Sequence, residues 1–329
     1  MTEPLSSYFE KLPAGFSLRS TTADDVEACT ELVRAVDLAA CGETTTTVAE
    51  LEGDILHPLI VRHESSVVIE HDGNIVALLT CFIESADNRN IFFDFFINPA
   101  MDLDLAKEIS LASVRATEHL TAAVATSLQR DSEICKTALY EADAAFLLAL
   151  KERNFDYHRT FWRMSRPVTE ERAITLPTDY SLEDFVDSEE NIRELHYVQT
   201  TSFMDYYDFH PLSLEAWIEQ LSSGVNDKSL WRVMKYKGAM VGYLMGSNRY
   251  ISEKFGYVAS IGVLREHRSQ GLAKALLLDA FNRDARLGNL GTILHGDSSN
   301  PTGAMKLYEH VGMVQDRAYV AYRKVITTR

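Results

Sequence analysis

One order of elements runs through this chain twice. Phe16-Ser17-Leu18-Arg19 reads as a strand, and Thr22-Ala23-Asp24-Asp25 caps a helix through Val36. Val67–Glu70 and Ile75–Phe82 are strand-like runs joined by Asp72-Gly73-Asn74, a good hairpin turn. A strand at Ile91–Ile97, a helix at Leu103–Leu120, a strand at Thr137–Tyr140, a helix at Asp143–Arg153 and a strand at Tyr157–Ser165 follow. The same series then returns. It runs from Tyr180-Ser181-Leu182 through a helix near Glu189–Thr201, strands at Trp231–Tyr236, Met240–Ser247 and Tyr257–Val263, and a helix from Leu272. Thr292–His295, Thr302–Val311 and Tyr319–Val325 close it as strand, helix and strand. The period of about 160 residues is far too long for a solenoid. The expected organisation is two domains, 1–168 and 177–329, with Arg166–Pro177 as linker because two prolines and a charged middle break the pattern.

The stretch Ser260–Ala280 carries the chemistry. An apolar run ends at Val263, a polar loop holds Arg265, Arg268 and Gly271, and a helix pattern starts at Leu272. The first N–H groups of a helix lack intrahelical partners, and the macrodipole adds partial positive charge there. Strand, glycine-bearing loop and helix start therefore predict an anion site, with a pyrophosphate as the expected occupant.

Composition narrows the options. With 48 acidic against 32 basic residues the net charge is −16, which argues against sequence-independent nucleic-acid binding. The four cysteines lack CxxC spacing and read as reduced, mostly buried thiols of a cytoplasmic protein. The first residues, MTEPLSSYFEKLPAG, lack the pattern of a signal peptide, and no apolar run reaches the ~20 residues that span a membrane. The ten histidines lack paired spacing, so no metal is expected.

Two segments together resemble the GNAT N-acetyltransferases. Val263-Leu264-Arg265-Glu266-His267-Arg268-Ser269-Gln270-Gly271-Leu272-Ala273 is similar to the family's acetyl-CoA signature, R/Q-x-x-G-x-G/A opening a helix. Asn300 to Glu309, with Ala304, Leu307 and Tyr308, is similar to its second signature, N…A-x-x-L-Y-E. Two fused copies resemble the tandem architecture of mycothiol synthase and other bacterial tandem GNAT proteins. The resemblance implies an α/β (α+β) fold of two GNAT-like domains, each a mixed, mostly antiparallel sheet flanked by helices. Acetyl-CoA would enter where the fourth and fifth strands splay. Pantetheine would lie along Ile261, Gly262 and Val263, the pyrophosphate on Arg268, Ser269, Gln270, Gly271, Leu272 and Ala273, and Asn300 would meet the pantetheine arm or serve the turn before Pro301.

The same resemblance makes Tyr308 the expected general acid for the thiolate. His295 is the candidate base, with Asp297 next to it as substrate carboxylate or loop cap. The acceptor pocket is expected around Phe203-Met204-Asp205-Tyr206-Tyr207-Asp208-Phe209-His210, where aromatics and aspartates, Asp205 and Tyr206 foremost, suit a cationic amine. In the first copy Arg268 aligns roughly with Asp102, Gly271 with Leu105, Ala273 with Lys107 and Tyr308 with Leu150, so that copy is expected to be a degenerate structural partner. The expected function is acetyl transfer from acetyl-CoA to the primary amine of a small molecule, by direct attack through a tetrahedral intermediate. A non-catalytic acyl-CoA sensor or scaffold, and a peptide or protein N-acetyltransferase, are the alternatives. A monomer is expected, its two copies replacing the dimer contact of single-copy relatives.

Overall fold

The computed structural model describes residues 4–9, 12–44, 46–56, 66–83, 90–206, 209, 211–222, 226–300 and 302–328. They form two compact units, one made of Met1–Thr160 with Ala318–Arg329, the other of Phe161–Arg317.

In the first unit the order is β1 (Phe16–Ser20), α1 (Val26–Cys41), α2 (Val48–Leu56), β2 (Ser66–His71), β3 (Asn74–Ile83), β4 (Asn90–Ile97), α3 (Leu103–Ser127), β5 (Ser132–Tyr140) and α4 (Ala144–Glu152). β1 to β4 pair antiparallel in sequence order, and β4 and β5 pair parallel over Asn90–Phe92. The core is built from the buried faces of these strands against α3 and α4: Phe93, Phe146, Ile109 and Leu150 are all sealed from solvent. Cys29, Cys81 and Cys135 are buried free thiols whose ionisation burial opposes, and Cys41 is half-buried.

The chain then forms β6 (Asp156–Pro167). The second unit repeats the series as β7 (Tyr180–Asp184), α5 (Glu189–Phe203), α6 (Leu214–Leu221), β8 (Arg232–Tyr236), β9 (Ala239–Ser247), β10 (Phe255–Val263), α7 (Leu272–Leu287), β11 (Gly291–Asp297) and α8 (Ala304–His310), before β12 (Val314–Thr327). β7 to β10 pair antiparallel, and β10 and β11 pair parallel from Phe255↔Gly291 to Val258↔Leu294. Each unit thus holds a mixed, mostly antiparallel sheet flanked by helices. Leu276 and Leu277 of α7, Tyr243 and Met234 of the sheet and Val198 of α5 are completely buried in the second core.

The units are bounded differently from the expected domains, because the closing strands are exchanged. The sheet of the first unit ends on β12, paired with β5 from Tyr319↔Tyr140 to Thr327↔Ser132. That of the second ends on β6, paired with β11 from Gly291↔Pro167 to Asp297↔Phe161. The stretch expected as a linker is pinned to α7. The Arg172 amide donates to Asn282 Oδ1 at 2.9 Å, Asn282 Nδ2 returns a bond to the Arg172 carbonyl at 2.9 Å, and Ile174 and Leu176 pack on the core. α2 and α6 were not anticipated: they are short helices of nine and eight residues.

A missing side chain lets α7 approach β10. A Cβ on Gly256 would collide with the Asp284 carboxylate, which is buried and accepts from the Thr292 hydroxyl and from Asn289 Nδ2. Gly256→Ala should therefore destabilise the protein by about 1–3 kcal/mol, as overpacking of a filled core does. A thermal melt indistinguishable from the parent would contradict the contact.

Candidate active site

β10 and β11 stay paired only through Val258 and Leu294. A register shift at Ala259 then turns the rest of β10 towards β9, while the rest of β11 continues along β6. The gap between them is a cleft of about 540 Å³. It runs from the loop before α7, past Ile261, Gly262 and Val263, to His295, Gly296, Asn300 and Tyr308.

At one end the α7 N-terminus is open. Its N-cap is Gly271 at φ 81°, with no side chain capping the first amides, and a Cβ there would meet nothing within 4 Å. Ser269 also holds a left-handed backbone, at φ 63°. Alternating such residues turns successive N–H groups inward, as in anion-binding nests. The equivalent helix start of the first unit is closed by its own side chain, since Asp102 Oδ1 accepts from the amides of Asp104 at 3.1 Å and Leu105 at 3.2 Å. One helix start is left for an external anion; the other is filled by a carboxylate.

Arg268 serves that loop differently from expectation. Its Nε donates to the Val263 carbonyl at 3.0 Å, one terminal nitrogen donates to the Ser202 carbonyl at 2.9 Å, and the other pairs with Asp205 at 2.9 Å. Its amide donates to the Arg265 carbonyl. The guanidinium thus staples the loop to the ends of β10 and α5. Asp205 also meets Arg265, at 3.4 Å, so its charge is taken up by two arginines and it does not line the cleft. What remains at the helix start is the uncapped run of residues from Ser269 to Ala273, with Lys274 lining the cleft beside it. Gln270 is not among the cleft-lining side chains.

At the other end Tyr308 is brought in by a second glycine. A Cβ on Gly296 would displace the movable tip of Met305 and press on the Tyr308 ring at 3.3 Å, so glycine lets α8 settle this close to β11 without a shift of either. Burial first, and the neighbouring Tyr206 second, push the Tyr308 phenol up to about 12. Tyr206 lines the cleft with it; Tyr207, Asp208 and His210 of the expected acceptor loop lie outside the described residues. Ser202 and Ser260 line the cleft as well, and behind them the sealed Tyr243 has its hydroxyl 2.7 Å from Ser260 Oγ. This hydroxyl group was not foreseen, because it depends on the β9–β10 register and on Gly262, where a Cβ would overlap Ser202.

His295 lines the cleft with Nδ1 3.2 Å from the Tyr257 hydroxyl. Burial, then the positive charges of Arg249 and Arg163, lower its pKa to about 4. The imidazole is therefore neutral through the whole neutral range. Between about pH 6.5 and pH 4 the unfolded chain takes a proton here that the folded chain refuses, so this group makes the fold less stable as pH falls across that window. An NMR titration of His295 should find its midpoint well below 6; a midpoint near 6.5 would contradict the buried, cation-flanked setting.

Two other expected residues act locally. Asp297 is 2% exposed and its Oδ1 accepts from the Ser299 amide at 2.8 Å, which caps the loop after β11. Asn300 lines the cleft, but its Oδ1 accepts from the Thr302 amide at 2.8 Å and hydroxyl at 2.6 Å, a turn role. Among the described residues no group of three or more potential metal ligands is present, and no helix is long and apolar enough to cross a membrane.

A splayed pair of parallel strands, with an open helix start at one side and a buried tyrosine at the other, frames the cleft. Residues 190–313 match the model of the Acetyltransferase (GNAT) family. That stretch lies within the second unit, and the chain as a whole has a tandem GNAT-like fold. It is similar to a GCN5-related N-acetyltransferase from Sphaerobacter thermophilus, at 21% identity over 96% of this chain and 98% of that one, with a TM-score of 0.79. It is also similar to a tandem GNAT protein from the clavulanic acid biosynthesis pathway, at 13% identity over 94% and 98% of the two chains, with a TM-score of 0.63. No curated protein matches the sequence.

Proposed function

We propose that the second unit transfers an acetyl group from acetyl-CoA to the primary amine of a small molecule. The observation that carries this reading is one cleft that joins an uncapped helix start, suited to a diphosphate, to the neutral His295 and the protonated Tyr308. The pyrophosphate would rest on the amides of Ser269–Ala273, and the pantetheine along Ile261–Val263, whose edge is released by the splay.

The amine must attack without its extra proton. The ring of His295 is unprotonated at neutral pH but, held near 4, is a weak base, so it would relay that proton through water to the solvent rather than keep it. With Nδ1–H donating to the Tyr257 hydroxyl, Nε2 is the unprotonated nitrogen and would carry the acceptor role. Nitrogen bonds to the thioester carbon, a tetrahedral oxyanion forms, and the carbon–sulfur bond then breaks. Tyr308 gives its proton to the leaving sulfur. A phenol near 12 is a weak acid in water, yet the dry surroundings that raise it also make a bare thiolate unfavourable, so the transfer is helped at the moment sulfur becomes charged. A proton from solvent restores the tyrosine, and the net products are an amide and a free thiol.

The first unit fits a supporting role. Its helix start is occupied by Asp102, and Leu150 stands where Tyr308 aligns. Isothermal titration with acetyl-CoA, followed by an amine screen that detects thiol release, tests the proposal. Absence of acetyl-CoA binding would sink it.

A further inference from the structure

The first unit has a cleft of its own, of about 220 Å³, at the place that matches the splay in the second. β4 and β5 part after Phe92, and the cleft opens among the end of β4, the last turns of α1, the loop before α3 and the start of α4. Its walls are apolar. Val36, Ile97 and Ala145 are buried, and Leu103 stands at the rim with 51% of its surface exposed. An anion finds no partner here. Asp102 fills the α3 start, Asp104 adds a second negative charge to that first turn, and the residues lining the cleft include no lysine, arginine or histidine. The one charged side chain in the lining is Asp143, the N-cap of α4. Its Oδ1 accepts from the Phe146 amide at 3.4 Å, a long bond, and among the described residues no other donor and no cation reaches the carboxylate. Burial pushes its pKa up to about 6, with that amide opposing. At neutral pH it is therefore a half-buried charge in an apolar setting, short of the partners such a charge needs.

We propose that this cleft is a binding site for a small primary amine with one positive charge and an apolar body, its ammonium on Asp143 and its body against Val36, Ile97 and Met101. The ammonium supplies the donors and the charge that the carboxylate lacks, in a charge-assisted bond. One carboxylate in the lining suits one cation, and the walls offer the rest of the molecule apolar contact only. The volume is below the roughly 300–1,000 Å³ of sites for drug-sized ligands, so the occupant is small and coenzyme A is not it. A molecule held here would not be acetylated, because the α3 start is filled by Asp102 and Leu150 stands where Tyr308 aligns. The site binds without turnover. It gives the first unit a task that does not depend on acetyl transfer in the second.

The test is isothermal titration of the full chain, without acetyl-CoA, with three probes of one shape: benzylamine, benzyl alcohol and benzoate. Benzylamine should bind with a Kd of about 1 mM or tighter, and about tenfold or more tighter than the alcohol or the carboxylate. Asp143→Asn keeps a good N-cap and nearly the same shape but removes the charge, so benzylamine affinity should fall about tenfold. Ala40→Leu keeps the charge and fills part of the cleft from its half-buried position on α1, and it should weaken benzylamine by about fivefold or more. No binding of benzylamine, equal affinity for benzyl alcohol, or parent-like affinity in either variant would overturn the site. The second unit's reading is judged by a different ligand, acetyl-CoA, so neither result decides the other.

Discussion

Tyr308→Phe should lower kcat by about 100-fold or more while leaving acetyl-CoA affinity close to the parent value. The substitution removes one hydroxyl and keeps the ring that fills the space between Gly296 and the core, so the fold should survive. General acid catalysis by a positioned side chain is worth roughly 10²–10⁴ in rate, and this phenol is the group the cleft offers for the leaving sulfur. Steady-state kinetics with thiol detection, alongside isothermal titration of acetyl-CoA, separate chemistry from binding. A kcat within threefold of the parent would remove Tyr308 from the mechanism. Because burial holds the phenol near 12, the parent should also lack a loss of activity from tyrosine ionisation anywhere between pH 7 and pH 10.

Gly271→Glu should weaken acetyl-CoA binding by about 100-fold or more, through two additive causes. A side chain at φ 81° is strained by about 1–2 kcal/mol, and a carboxylate would stand at the helix start where a diphosphate must rest. Steric clash with the protein is not among the causes, since a Cβ there meets nothing within 4 Å. Gly271→Asn separates the two. Asparagine tolerates the left-handed backbone and carries no charge, so its loss should be only severalfold. Equal damage from both variants would point to backbone strain alone, and full binding by the glutamate variant would displace the pyrophosphate from this loop.

Local signals made much of this molecule legible in advance. The duplicated element order, the hairpin at Asp72-Gly73-Asn74 and the helix opening at Leu272 depend on turn chemistry and periodicity within a few residues. All of them stand in the structure. The Tyr308 and Gly271 positions came from short motifs, and both face the cleft. What stayed hidden depends on partners far away in sequence. No pattern around Arg268 says that its guanidinium will turn back onto Ser202 and Asp205, because that bond spans more than sixty positions. The pairing of His295 with Arg163 is equally remote, set by β6 closing the second sheet. The pairing of Asp205 with Arg265 and Arg268 is of the same remote kind, and it keeps that carboxylate out of the cleft lining.

The exchange of closing strands bears on how the chain comes to be folded. The sheet of the first unit lacks its last strand until residues 318–327 exist, so during synthesis β5 must wait with an unpaired edge while the whole second repeat is made. An open edge of that kind invites pairing with other chains. The second sheet has no such delay, since β6 is finished before the first residue of β7. The repeat that carries the cleft is therefore the one assembled from strands already in hand, and the repeat with the plugged helix start bears the long wait. Contacts joining positions nearly two hundred residues apart are also the slow kind to form, because the intervening chain must first be confined.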